Sequence, residues 1–139
     1  MKKVIHILFL LAIAASAAKA QNGPVMTFEK TEIDYGNVVQ AGDGVRIFKF
    51  KNTGTEPLII KNARGSCGCT VPKWPSEPVK PGQTASIEVK YDSNRLGSFS
   101  KTVTVETNEE VGKHVLTIKG NIYEKKFDNA SNNNSGNKR

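Results

Sequence analysis

The chain has 139 residues, with 20 Lys+Arg against 13 Asp+Glu and a formal net charge of +7. That balance invites a nucleic-acid or membrane-surface partner. The lysines of the body of the chain (Lys49, Lys51, Lys61, Lys90, Lys101, Lys119) are instead scattered along predicted strands, as on a solvated face, and neither partner is expected.

Residues 1–20 read as a secretory signal peptide. Lys2 and Lys3 form a positive start, residues 4–18 are apolar, and Ala18-Lys19-Ala20 is a small-residue cleavage signature ahead of Gln21. The apolar run is too short and too Ala-rich at its end for a membrane-spanning helix. Cleavage between Ala20 and Gln21 removes Lys2, Lys3 and Lys19 but no acid, which leaves 17 basic against 13 acidic residues and a net charge of +4. The expected destination is the periplasm or the outside of the cell. No later apolar run reaches membrane length, so the mature protein is expected to be soluble and without a membrane span.

Residues 21–124 suit one domain of about a hundred residues. Residues 25–28 (VMTF) and 32–35 (EIDY) are short apolar-alternating runs, each a predicted strand, the second stopped by Gly36. Residues 37–44 form a glycine-rich turn. Residues 45–51 (VRIFKFK) alternate strictly, with Phe48 and Phe50 on one face and Ile47, Lys49 and Lys51 on the other. Asn52 to Pro57 is turn chemistry. Leu58-Ile59-Ile60 resumes a strand apolar on both faces, expected to be covered on both.

The stretch 65–70 (GSCGCT) holds both cysteines of the chain, one residue apart. After it, residues 72–81 carry four prolines, so this segment is an edge strand or a crossover. Residues 83–92 restore alternation with Ile87, Val89 and Tyr91 on one face. Residues 99–107 do so through Phe99, Lys101, Val103 and Val105, with Lys101 at an open end of that face. Residues 113–123 align His114, Leu116, Ile118 and Ile122. Glu109 and Glu110 between them read as a solvated hairpin tip. Residues 125–139 (KKFDNASNNNSGNKR) are too polar to offset their ordering entropy and are expected to be a disordered tail. The pattern predicts an all-β, antiparallel β-sandwich of about seven strands with almost no helix. Its expected core is Phe28, Phe48, Phe50, Leu58, Ile60, Ile87, Val89, Tyr91, Phe99, Val103, Val105, Leu116 and Ile118.

Several pieces fall in a recognisable order: Asp34-Tyr35-Gly36-Asn37-Val38, Phe50-Lys51-Asn52-Thr53-Gly54 with Pro57-Leu58, Ser66-Cys67-Gly68-Cys69-Thr70, and Pro81-Gly82 with Ile87-Glu88-Val89. Gly97-Ser98-Phe99, Val105-Glu106-Thr107-Asn108 and Ile118-Lys119-Gly120 complete it. Over essentially the whole mature domain this resembles the bacterial domain-of-unknown-function family 1573, with the Cys-Gly-Cys-Thr loop as the specific signal. The resemblance implies an immunoglobulin-like sandwich in an exported protein, akin to modules of the major sperm protein and pilus-chaperone type. Cys67 and Cys69 match the family's cysteine pair. It implies no established activity, and fold analogy supplies none.

Three chemistries fit two cysteines around a glycine in an exported chain, beside a fourth in which one of them forms an intermolecular mixed disulfide with a partner. The first is a Cys67–Cys69 disulfide acting as a local brace. It closes so small a ring that its entropic benefit is about 1.5 kcal/mol. The second is thiol–disulfide exchange at a strained, exposed bridge, with Arg64 and Lys73 favouring thiolate character. The third is a soft-metal site for copper, or half of a zinc site. His114 is the only histidine left after cleavage, and Met26 the only thioether offered. Trp74, five residues past Cys69, either covers the end of the core or anchors a contact. No Gly-x-Ser-x-Gly, phosphate loop or carboxylate cluster is present, so no hydrolase or transferase is expected. The expectation is an exported, non-enzymatic binding or structural module of the cell envelope, without a cofactor, that meets a protein partner. Its contact surfaces would be sheet edges or the end bearing Cys67, Cys69 and Trp74. The alternative is a redox or copper-binding protein using the same two sulfurs.

Overall fold

The alternation of β3 (Val45–Asn52) makes one of its faces a wall of the core. Phe48, Phe50 and Asn52 are fully buried while Ile47, Lys49 and Lys51 are exposed. In the computed structural model, which describes residues 22–126, β3 is one of eight strands and the described residues include no helix. It lies in a first sheet of order β1-β3-β6-β5, with β1 at Met26–Phe28, β6 at Thr84–Tyr91 and β5 at Thr70–Lys73. The second sheet has the order β2-β8-β7-β4, with β2 at Glu32–Val39, β8 at Lys113–Tyr123, β7 at Gly97–Thr107 and β4 at Ile60–Gly65. The expected leader, its Ala20–Gln21 junction and most of the polar tail lie outside the described residues.

The two sheets enclose one cluster that includes Phe48, Phe50, Leu58, Ile87, Val89, Val103, Val105, Leu116 and Ile118, all fully buried. Each such side chain contributes about 1.5–3 kcal/mol over an exposed one. Tyr91 and Phe99 stack across the sandwich with ring centroids 3.8 Å apart. Every residue of the expected core is buried except Phe28, which is half-buried against it.

Several expectations about the strands change. The described residues form eight strands rather than about seven. Strand β2 does not stop at Gly36 but runs through it to Val39, with a break in register between Asp34 and Asn37. Gly36 makes that break at a φ of 63°, a left-handed conformation glycine adopts freely, and the Asp34 carboxylate accepts its N–H at 2.8 Å. The pairing is not all antiparallel: β2 runs parallel to β8, since alternation reveals which face is buried but not the direction of a neighbour. Residues 58–60 are not a strand covered on both faces. Leu58 forms a single bridge to Val79, Ile59 is 41% exposed, and β4 starts at Ile60.

Polar side chains tie the sheets and turns together. The Tyr35 hydroxyl, from β2, donates to Gly44 O at 3.0 Å, with Val89 O of the other sheet at 3.4 Å. Its ring meets Phe99 edge-on, the Arg46 guanidinium lies 4.2 Å from its centroid, and burial pushes its pKa up to about 12. Asn108 mimics a strand partner, accepting Ile59 N at 2.8 Å and donating to Pro57 O at 3.0 Å.

Glu109 is not part of a solvated tip. Its side chain is largely buried, accepting Met26 N at 2.8 Å on one oxygen, and the Thr107 hydroxyl at 2.7 Å and His114 Nε2 at 2.6 Å on the other. The hairpin folds back over β1, so a carboxylate that alternation places in solvent closes an open strand edge instead.

Candidate functional site

Strands β4 and β5 are the outermost strands of opposite sheets, and residues 66–69 cross between them. The sandwich therefore has one side where two edges come together, and the cysteine loop spans it. Gly65 lets the edges approach: a Cβ there would run into the carbonyl oxygen of Thr70.

The loop is pinned to both sheets. Ser66 N donates to Thr102 O at 2.8 Å, and Thr102 N donates to Ser66 Oγ at 3.2 Å. On the other side Asp92 N donates to Cys69 O at 2.9 Å, and Thr70 N closes the turn on Cys67 O at 3.2 Å. Cys67 and Cys69 are joined in a disulfide with their Cα atoms 5.2 Å apart. Gly68, between them, is at the exposed tip with open space around it.

The two sulfurs are not equivalent. Cys69 is 7% exposed and belongs to the core cluster, whereas Cys67 is half-buried against it. The bridge is thus partly seated in the core rather than exposed as expected, because the crossover directs the second cysteine inward as β5 begins. The buried Thr70 hydroxyl stands 3.6 Å from Cys67 Sγ and 3.8 Å from Cys69 Sγ.

Each cysteine lines a different cleft. Cys67 shares a groove of about 560 Å³ with Ala63, Arg64, Pro72 and Trp74, along the paired edges. Cys69 shares one of about 620 Å³ with Ala41, Gly44, Lys90, Tyr91 and Asp92. Gly68 and Val71 line both and form the ridge between them. In the second cleft the side-chain amide and backbone N–H of Asn94 hold the Asp92 carboxyl below the usual carboxylate range.

The fold brings Cys67, Cys69 and Trp74 to one place, with Trp74 half-buried against the core and also lining the groove. Of the two cations expected beside the sulfurs, Arg64 lines the Cys67 groove, while Lys73 pairs with Glu88 at 3.6 Å. The other two residues considered as metal ligands lie elsewhere. Met26 is buried on β1, at the opposite edge of the first sheet from β5. His114 is engaged by Glu109 and meets Phe28 edge-on. Among the described residues no three His, Cys, Asp or Glu side chains converge.

Thr70 and Val71 had no sequence signal of their own beyond adjacency to the cysteines. The second cleft had none at all, since residues 41–44 and 90–94 meet only through tertiary structure. Of the two readings of the proline-rich segment the edge holds and the crossover does not: β5, with Pro72, is the outermost strand of its sheet, and residues 74–83 return to its antiparallel neighbour β6 in the same sheet.

Solved structures share the fold at low identity. A protein of unknown function from Porphyromonas gingivalis W83 superposes with a TM-score of 0.64 at 16% identity, over 78% of this chain and 51% of that one. The chain therefore spans about half of that protein's length. The seventh PapD-like domain of human CEP192 gives a TM-score of 0.59 at 11% identity, over 73% of this chain and 87% of that domain. The Vibrio cholerae VesB protease gives 0.55 at 13% identity, over 70% and 31%. These likenesses establish an immunoglobulin-like sandwich fold and nothing of activity. No curated protein matches closely enough to add to this. The family model described as "Protein of unknown function (DUF1573)" matches residues 26–122, from the start of β1 almost to the end of β8, and the chain belongs to that family.

Proposed function

We propose that this chain is a non-enzymatic binding module of the cell envelope, acting outside the cytoplasm without a cofactor and engaging a protein partner through its cysteine-bearing end. One observation carries the reading. Val71, 52% exposed on edge strand β5, stands between two clefts beside the rigid Pro72 and the half-buried Trp74. An apolar ridge flanked by grooves and an aromatic wall is the arrangement that anchors partner side chains at protein interfaces. The leader read in residues 1–20 supports placement in the envelope.

Affinity capture of the tagged chain from the envelope of its native host tests this. The wild type and Val111→Asp, altered at an 82% exposed residue of the β7–β8 turn, should retain the same partner. Val71→Asp should lose it. Equal capture by Val71→Asp, or no partner for the wild type, would overturn the reading.

A further inference from the structure

The unequal setting of the two sulfurs assigns them different roles. We propose that Cys67 accepts a cysteine thiol of the docked partner in a thiol–disulfide exchange, with the groove between β4 and β5 as the binding site for the partner's extended segment. This rests on the reading that a partner docks at this end, and adds that its segment there carries a free cysteine.

Attack on a disulfide sulfur proceeds from the side opposite the leaving sulfur, on the atom that can be reached. Cys67 is the reachable one, half-buried and lining the β4–β5 groove, while Cys69 is seated in the core cluster and opens on the other cleft. In the exchange the partner's thiolate sulfur bonds to Cys67 Sγ and the Cys67–Cys69 bond breaks. Cys69 leaves as a thiolate and takes a proton from solvent. The partner cysteine rises to the disulfide level as Cys69 falls to the thiol level, so no external oxidant is consumed. The Thr70 hydroxyl, 3.8 Å from Cys69 Sγ, is the donor placed to meet the departing sulfur.

The surroundings tolerate the opening of the bridge. Ser66 is bonded to β7, and Cys69 O accepts Asp92 N at the end of β6. The loop backbone is therefore held without the S–S bond. Arg64 in the same groove favours an approaching thiolate, and Trp74 offers a wall for the rest of the segment.

The test uses the full chain, glutathione disulfide and the disulfide-linked dimer of a short single-cysteine peptide, with acid quenching and mass spectrometry. Cys69→Ser, which keeps only Cys67, should acquire the peptide about tenfold faster than Cys67→Ser, which keeps only the buried sulfur. Trp74→Ala, added to Cys69→Ser, should slow the peptide adduct but not the glutathione adduct. Equal rates for the two single-cysteine variants, or an equal fall for both reagents, would overturn the proposal. Should either variant fail to fold by circular dichroism, wild-type protein treated with the reduced peptide decides alone. An adduct mapped to Cys67 supports the assignment, and one on Cys69, or none, refutes it. The exchange fails separately from docking: if Val71→Asp loses a captured partner that runs unlinked to the wild type on a non-reducing gel, docking stands and the exchange falls.

Discussion

Replacing Asn52 with Ala should cost the domain about 3 kcal/mol. Its side chain is fully buried and uses both ends. Nδ2 donates to Glu56 O at 2.7 Å and Val79 O at 2.8 Å, while Oδ1 accepts Gly54 N at 3.0 Å and Val25 N at 3.3 Å. The four bonds do not count equally. Val79 O keeps the N–H of Leu58 at 2.9 Å, and Glu56 lies on an exposed turn where water replaces the lost donor. The N–H groups of Val25 and Gly54 are part-buried, and stranding each costs about 1 kcal/mol, with the vacated amide volume adding about as much again. For a domain of this size the melting temperature should fall by roughly 15 °C. Urea unfolding followed by circular dichroism checks this, with the m value unchanged. Asn52→Asp sharpens the test, because it keeps the shape and the acceptor but turns charge toward two carbonyl oxygens. It should be worse than Ala at neutral pH. A loss under about 1 kcal/mol for Ala, or an Asp variant as stable as Asn, would refute the view that this residue is a two-sided latch.

Tyr35 should make stability fall at high pH. Its pKa is raised from 10.0 to about 12 by burial, so the unfolded chain ionises first and stability is full below pH 10 and lost between 10 and 12. Tyr35→Phe should flatten that limb in pH-dependent unfolding, at a cost of about 1 kcal/mol at neutral pH for the lost bond to Gly44. Glu109→Ala should destabilise by about 2 kcal/mol and speed hydrogen exchange at the Met26 N–H it now caps, measured by NMR. Unchanged exchange would show that β1 does not depend on this carboxylate. Cys67→Ser combined with Cys69→Ser should leave the fold intact by circular dichroism, with melting lowered by a few degrees as expected for about 1 kcal/mol. Collapse of the fold would mean that the bridge does more than brace a loop already bonded to both sheets.

The residues that carry the family resemblance turn out to hold the sandwich together. Tyr35 links the sheets, Asn52 latches the turn after β3 to the β5–β6 connection, and Asn108 pairs with residues 57–59. Tyr35 read only as a strand residue and Asn52 only as turn chemistry, because the partner of each polar group lies far along the chain: Val89 for Tyr35, Val79 for Asn52, Pro57 for Asn108. Glu109 was misread for the same reason. A carboxylate in a hairpin belongs in solvent unless another strand end needs it, and the need of Met26 N is invisible locally.

Alternation of large apolar residues was enough to establish the all-β class, most of the strands and nearly all of the core. Whether a side chain faces in or out along a strand depends only on its neighbours one and two positions away. The adjacency of Cys67 and Cys69 likewise marked the distinctive loop without help from the fold. Which strands pair, that β2 runs parallel to β8, that one sulfur sinks into the core while the other faces a groove, and that Val71 divides two clefts were settled only in three dimensions. Those properties depend on contacts between segments distant in the chain, whose meeting no local pattern records.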